Sequence, residues 1–252
     1  MLKSIRLFLF ITFSIMLACW GICLICSILG LYISKIPLLY IPYLLGGLSP
    51  TIASYMVWKQ HGSFKGWLST VFDFRQRLCA YCIPLFYAVL FFFCLCVVSG
   101  YTPGAPMFSL IWLLPLMLLC GGLEEVGWRG LLFPELCNKY GYIASTLITA
   151  LIWWVWHFPL FYIKGVSQYG GDFLAFGLNV IGLSFALSSI KRLTGSTWLC
   201  ILFHCLINSL HGIFIITESK TGSLAASSAM ILASCILLNM QKRKIFFRKI
   251  TK

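Results

Sequence analysis

Apolar runs of helix-spanning length recur along this chain, and few charged residues interrupt them. Crossing the hydrocarbon core of a bilayer takes about 20 apolar residues as a helix. Runs of that kind lie at residues 7–33, 37–58, 79–99, 106–132, 142–163, 173–190, 195–217 and 223–241. Charged residues are 10% of the chain, against roughly 25% in a soluble domain, and no polar stretch is long enough to build a soluble domain. The expected fold is all-α, a polytopic integral membrane bundle of about eight transmembrane helices forming a single transmembrane domain over residues 1–252. The first run is longer than the roughly 7–15-residue apolar core of a cleaved signal peptide, so it reads as a retained helix. The fourth run continues as helix to about Leu136, and Gly195-Ser196-Thr197 supplies a helix start for the seventh.

The charge pattern supports this threading. Of 19 Lys and Arg residues, all but Lys35, Lys164 and Lys220 fall on one side of the bundle. By the positive-inside rule both termini are then cytoplasmic and the protein sits in the cell membrane. The net charge of +13 follows from topology and gives no reason to expect nucleic acid as a partner. The basic tail from Gln241 to Lys252 has two readings: a segment lying on anionic headgroups, or a plain topological stop signal. Segment 59–78 places Phe64, Trp67, Leu68, Val71 and Phe72 at helical spacing among basic residues. That describes an interfacial amphipathic helix, either a gate to a site or a connector. The 12 cysteines lie mostly inside apolar runs, where they act as small hydrophobes. Cys79 and Cys82 form a C-x-x-C with no second pair at zinc-site spacing, so neither a disulfide framework nor a zinc finger is expected.

The chain has six acidic residues, and two of them, Glu124 and Glu125, stand side by side in the apolar fourth run with Arg129 one turn further on. Ionisable groups inside a membrane segment are costly and normally face a partner or a cavity. With a rise of 1.5 Å per residue, Glu124 lies about 18 Å above the cytoplasmic end of its helix. His157 in the fifth run lies about 22 Å up, His204 in the seventh about 13 Å and Asn208 about 20 Å. The expected helices thus bring their few polar residues to one layer. Residues four apart share a helix face, which groups Glu125 with Arg129, His204 with Asn208, and Trp153 with His157. Adjacent glutamates point about 100° apart. Glu125 is therefore assigned to Arg129 as an ion pair that locks the helix, and Glu124 to the cavity. A carboxylate withdrawn from water is the stronger base, as a general base near neutral pH requires.

Each residue also has a structural reading. The glutamates would serve as glue between helices, and His157-Phe158-Pro159 as a kink. His211, on nearly the same face as His204, reads as structural or as cavity lining. His61 in a cytoplasmic loop carries no signal, and Asp73, Glu135, Asp172 and Glu218 sit at membrane boundaries, solvated. The convergence of three segments on one depth favours a catalytic site.

The pattern Glu-Glu-x-x-x-Arg, aromatic-x-x-x-His and His-x-x-x-Asn, in this order, resembles the CPBP family. That family comprises the type II CAAX prenyl endopeptidases and the bacterial bacteriocin-processing and immunity (Abi) proteins. Glu124, Glu125 and Arg129 match its first motif, continued by Gly130-Leu131-Leu132-Phe133-Pro134. Trp153 and His157 match the second, with Trp where Phe is common, and His204 and Asn208 the third. The resemblance covers residues 118–210, so residues 1–105 hold three helices without motifs, 106–218 the catalytic core, and 219–252 the last helix and the tail. It implies an intramembrane endopeptidase acting on a membrane-associated peptide or protein. In it Glu124 with His157 activates a water, His204 with Asn208 binds the oxyanion, and Glu125 with Arg129 supports them. A dry cavity strengthens such preorganised donors, and no serine or cysteine is placed for a covalent route. Two cofactor readings stand: none, or one divalent metal such as zinc on Glu124, His157 and His204. A short chain with few insertions looks bacterial, which suggests maturation of a bacteriocin or a quorum-sensing peptide, or self-immunity. The competing readings are a non-proteolytic scaffold or regulator of the same fold, and a transporter, against which the lack of inverted repeats speaks.

Overall fold

The structure is a computed structural model that describes residues 2–60, 62–217 and 219–250, with side chains from Lys3 to Gln241. His61, Glu218 and the side chains of the basic tail lie outside the described residues. Among the described residues eleven α-helices follow in order: α1 (Leu2–Ile28), α2 (Tyr40–Gly47), α3 (Ser49–Trp58), α4 (Phe64–Val71), α5 (Leu78–Ser99), α6 (Leu110–Leu119), the single turn α7 (Glu125–Gly127), α8 (Phe133–Trp156), α9 (Phe173–Thr194), α10 (Thr197–Ile213) and α11 (Lys220–Ile250). Two short strands, β1 (Tyr101–Pro103) and β2 (Phe214–Ile216), pair antiparallel with Tyr101 opposite Ile216. They tie the end of α5 to the end of α10.

The protein is a multi-pass helical membrane bundle. Among the described residues, five helical stretches are long and apolar enough to cross a bilayer: Lys3–Ile28, Leu78–Ser99, Met107–Tyr162, Phe173–Thr194 and Lys220–Gln241. The expected eight runs map onto these less simply than periodicity suggests. Run 37–58 is two short helices that meet at Leu48, because Pro50 opens α3 and offers no N–H to continue the ladder of α2. The fourth run is not a continuous helix. It breaks at Gly121, whose φ of 145° no L-residue adopts readily. It then passes through a 3-10 turn at Gly122–Glu124, the single turn α7 and a π turn at Trp128–Leu132. Gly141, at φ 72°, folds α8 into two arms. The fifth run is α-helical only to Trp156, beyond which a 3-10 turn spans Phe158–Tyr162 with Pro159 at its start. α10 has 17 residues.

Local signals fix the helix ends. Asp172 caps α9, its Oδ1 accepting from the backbone N–H groups of Leu174 (2.9 Å) and Ala175 (3.1 Å). Gly195 closes α9 in the left-handed conformation, and the Ser196 hydroxyl accepts from Leu199 N–H to start α10. Lys220, at the start of α11, pairs with Asp172 at 3.2 Å.

Aromatic and small residues hold the bundle together. Trp20 of α1 packs on Trp156 with ring centroids 4.6 Å apart, and Trp156 on Trp128 at 5.7 Å. The Tyr87 hydroxyl donates to Ser189 Oγ (2.8 Å) and lies 3.0 Å from Ser234 Oγ, joining α5, α9 and α11. Large apolar side chains such as Phe93 and Val97 stay exposed, as a lipid-facing surface requires. All 12 cysteines are free thiols.

α9 and α11 approach closely because Gly182 carries no side chain, and a Cβ there would lie 2.5 Å from Ser227 Cα. Between membrane helices such small-residue contacts replace the hydrophobic effect. Gly182→Leu is expected to wedge the pair apart and destabilise the protein by about 1–3 kcal/mol. Gly21→Leu, at an α1 position with nothing within 4 Å, is expected to be neutral. Thermal unfolding in detergent compares the two, and equal melting temperatures would dismiss the Gly182 contact as a packing determinant.

Candidate active site

Breaking the fourth run exposes the first motif to the bundle interior. Glu124 ends the 3-10 turn, Glu125 opens α7 and Arg129 lies in the π turn. All three are buried, with Glu125 and Arg129 at 0% exposure. Charges so placed must be paired, and Glu125 and Arg129 are. Arg129 Nη1 sits 3.0 Å from Glu125 Oε2, and its Nη2 donates to Ser184 Oγ at 2.7 Å. The other Glu125 oxygen meets His204 Nδ1 at 2.8 Å. The glutamate is thus shared between the arginine and the third-motif histidine, beyond the ion pair expected from spacing alone. A carboxylate only accepts, so Nδ1 carries the proton and Nε2 is left for chemistry.

Glu124 points away from that pair. It accepts a hydrogen bond from Trp153 Nε1 at 2.9 Å and lines a cavity of about 620 Å³. His157, His204 and Asn208 line the same cavity. His157 Nδ1 lies 2.8 Å from the Trp153 carbonyl, which again places the proton on Nδ1. Asn208 donates from Nδ2 to the Cys120 carbonyl at 3.2 Å and keeps a second N–H. Gly121 makes room here, since a Cβ on it would collide with Asn208 Nδ2 and stand 3.0 Å from His204 Nε2. These two nitrogens therefore flank one spot beside the backbone break. The structure brings Glu124, Glu125, Arg129, His157, His204 and the half-buried Asn208 into a single cluster.

Trp153 joins them. Its indole N–H holds Glu124, its carbonyl holds His157, and its ring lies 4.7 Å from Arg129 Cζ. Ring centroids are 5.5 Å to His157 and 5.4 Å to His204. Spacing marked this residue only as an aromatic neighbour of His157. The signal available was its indole N–H, which a buried tryptophan seldom leaves unpartnered. Three further contributors carried no sequence signal. Ser184 of α9 binds Arg129. Thr51 of α3 donates to the Leu123 carbonyl at 2.5 Å, and Pro50 packs where a Cβ on Gly127 would fall. The motif-free N-terminal helices thus brace the first motif. His211 lines the cavity, its ring 4.9 Å from Phe92.

The alternative of a metal on Glu124, His157 and His204 needs those donors drawn together. Among the described residues no group of three or more His, Cys, Asp or Glu could hold a metal ion. The donor set does not fit the ion, and no step is routed through one.

Fold and site together define a multi-pass membrane protein with a carboxylate–histidine centre buried among its helices. Residues 106–210 match the family model described as type II CAAX prenyl endopeptidase Rce1-like. The motif-bearing segment is thus similar to this family. Over 146 residues the chain is 31% identical to a protein named CAAX prenyl protease 2 from Methanococcus maripaludis, an alignment that covers 54% of this chain. The chain spans about half the length of that relative (51%).

Glu125→Gln is expected to leave Arg129 charged and under-compensated, at a cost of roughly 3–5 kcal/mol. Adding Arg129→Met is expected to restore part of that loss, since the pair is then removed together. Urea or thermal unfolding of the single and double variants in detergent tests this cycle. Strictly additive losses would mean that the pair is not coupled.

Proposed function

We propose that the protein is an intramembrane endopeptidase that hydrolyses a peptide bond of a membrane-associated substrate without a covalent intermediate. The observation that carries this reading is Glu124: a carboxylate facing an interior cavity, held by one indole N–H, with two histidines and an asparagine around the same space. In the proposed mechanism Glu124 takes a proton from a water that His157 helps to orient through Nε2. The hydroxide attacks the scissile carbonyl, and the oxyanion is received by His204 Nε2–H and the second N–H of Asn208. Glu124 then returns the proton to the leaving amine. His204 can donate from both nitrogens only as an imidazolium, and Glu125 is positioned to stabilise that cation. With His204 charged, two carboxylates face two cations and the cluster is neutral. Donors preset in this way are most effective out of water.

The topology proposed from the lysine and arginine pattern puts both termini in the cytoplasm. Short amphipathic peptides, such as a bacteriocin or pheromone precursor, suit a site sunk in the membrane, and the proposed host is bacterial. The relative's name, CAAX prenyl protease 2, supports the reaction class. A second reading keeps the fold and drops the chemistry, leaving a scaffold or regulator.

Glu124→Gln keeps the size and the indole hydrogen bond but removes the base. It is expected to lower turnover by roughly 10²–10⁴-fold with normal folding. Mass spectrometry of small peptides from cells carrying either form is the test. A precursor that accumulates only with Glu124→Gln supports the protease and names its substrate, whereas identical peptide profiles with a stably expressed variant and an intact phenotype favour the scaffold. Trp153→Phe is expected to reduce kcat by about tenfold with little change in KM, because it removes one hydrogen bond to the base. An unchanged kcat would remove Trp153 from its positioning role.

A further inference from the structure

The cavity does not end at the catalytic cluster. It continues along α9, past Phe176, Asn179 and Leu183, and along α10 to His211, reaching Ser223 of α11. Its volume of about 620 Å³ is that of a ligand site, for which about 300–1,000 Å³ is usual. The α9 wall is apolar apart from Asn179. Asn179 Oδ1 is buried and has no hydrogen-bond partner within the protein. An amide oxygen left unpaired in an apolar enclosure costs free energy, so this residue is poorly explained as packing. Phe176, one turn before it, has its ring 5.0 Å from His157, so Asn179 stands one turn along α9 from the catalytic centre. On the facing α10, His204, Asn208 and His211 succeed one another at spacings of four and three and all line the cavity.

We propose that Asn179 is a specificity-determining residue that holds the backbone of an extended peptide beside the scissile bond, with His211 continuing the same polar track. The proposal rests on the endopeptidase reading above. A peptide drawn from water into a membrane cavity must find partners for its N–H and C=O groups. An asparagine amide offers one acceptor and two donors and can pair with both. No lysine, arginine or aspartate lines the cavity among the described residues, and Glu124 is its one glutamate. The segment it accepts is therefore an uncharged one, since a charged side chain would be buried without a partner.

The test uses the full-length protein in lipid nanodiscs with internally quenched synthetic peptides whose central residues are uncharged. Matched peptides carry one N-methylated backbone amide each, or a lysine in the central segment, and Glu124→Gln is the blank. The wild type is expected to lose roughly tenfold in kcat/KM at one N-methyl position, the value of about one hydrogen bond, and to reject the lysine peptides. Asn179→Leu is expected to lose a similar factor, mostly in KM, and to become indifferent to that N-methyl group. Should Asn179→Leu fail to fold, Asn179→Ala carries the same comparison. A wild type that cleaves the peptides while the Asn179 variants keep its kcat/KM and its N-methyl sensitivity overturns the Asn179 proposal and leaves the protease intact. A wild type that neither cleaves these peptides nor captures photo-crosslinkable versions of them overturns both.

Discussion

The structure depends on keeping charge inside a membrane. Glu125 and Arg129 are fully buried, and each would be prohibitively costly alone. Pairing them reduces that cost, and His204 and Ser184 complete the set from α10 and α9. Four elements must therefore arrive at one point: α7, the π turn, α9 and α10. The remaining polar contacts of the site are arranged around that knot. Trp153 lies against the guanidinium and from there reaches Glu124, His157 and His204. The catalytic geometry proposed here is thus inherited from the pairing of structural charges.

Breaks in the helices are what let this happen. A straight helix through residues 106–132 would bury the backbone of the first motif in its own ladder. Gly121 interrupts the ladder and leaves room for His204 and Asn208. The Cys120 carbonyl, released from the helix, becomes the acceptor for Asn208. Thr51 then satisfies the carbonyl of Leu123 from α3. Freed backbone groups at membrane depth need such partners, because lipid offers none.

Much of this was legible in the chain. Apolar runs read as helices, and helical spacing paired Glu125 with Arg129 and Trp153 with His157. Gly195-Ser196-Thr197 was visible as a helix start, and α10 begins there on the Ser196 cap, while the closure of α9 by Gly195 is added by the structure. Simple periodicity failed where backbone chemistry overrode it. The Leu48 junction, the break at Gly121 and the end of α8 at Trp156 all lie in sequence that is apolar enough to continue. Glycine and proline decide them, and their effect depends on tertiary contacts. The link between Glu125 and His204 spans 79 positions, and no local pattern encodes it. Ser184, Thr51 and Pro50 are ordinary residues in segments without motifs, and only their placement in space gives them a part in the site.

The π turn at Trp128–Leu132 has a consequence for how such a chain can change over time. Loops elsewhere can gain or lose a residue and still rejoin their helices. Here one residue more or fewer would rotate everything beyond it by about 100° and swing Arg129 away from Glu125, or Leu132 away from its place in the core. Insertions and deletions should therefore be excluded from residues 121–133 even where individual side chains vary. The length of this segment is as much a part of the site as its charges.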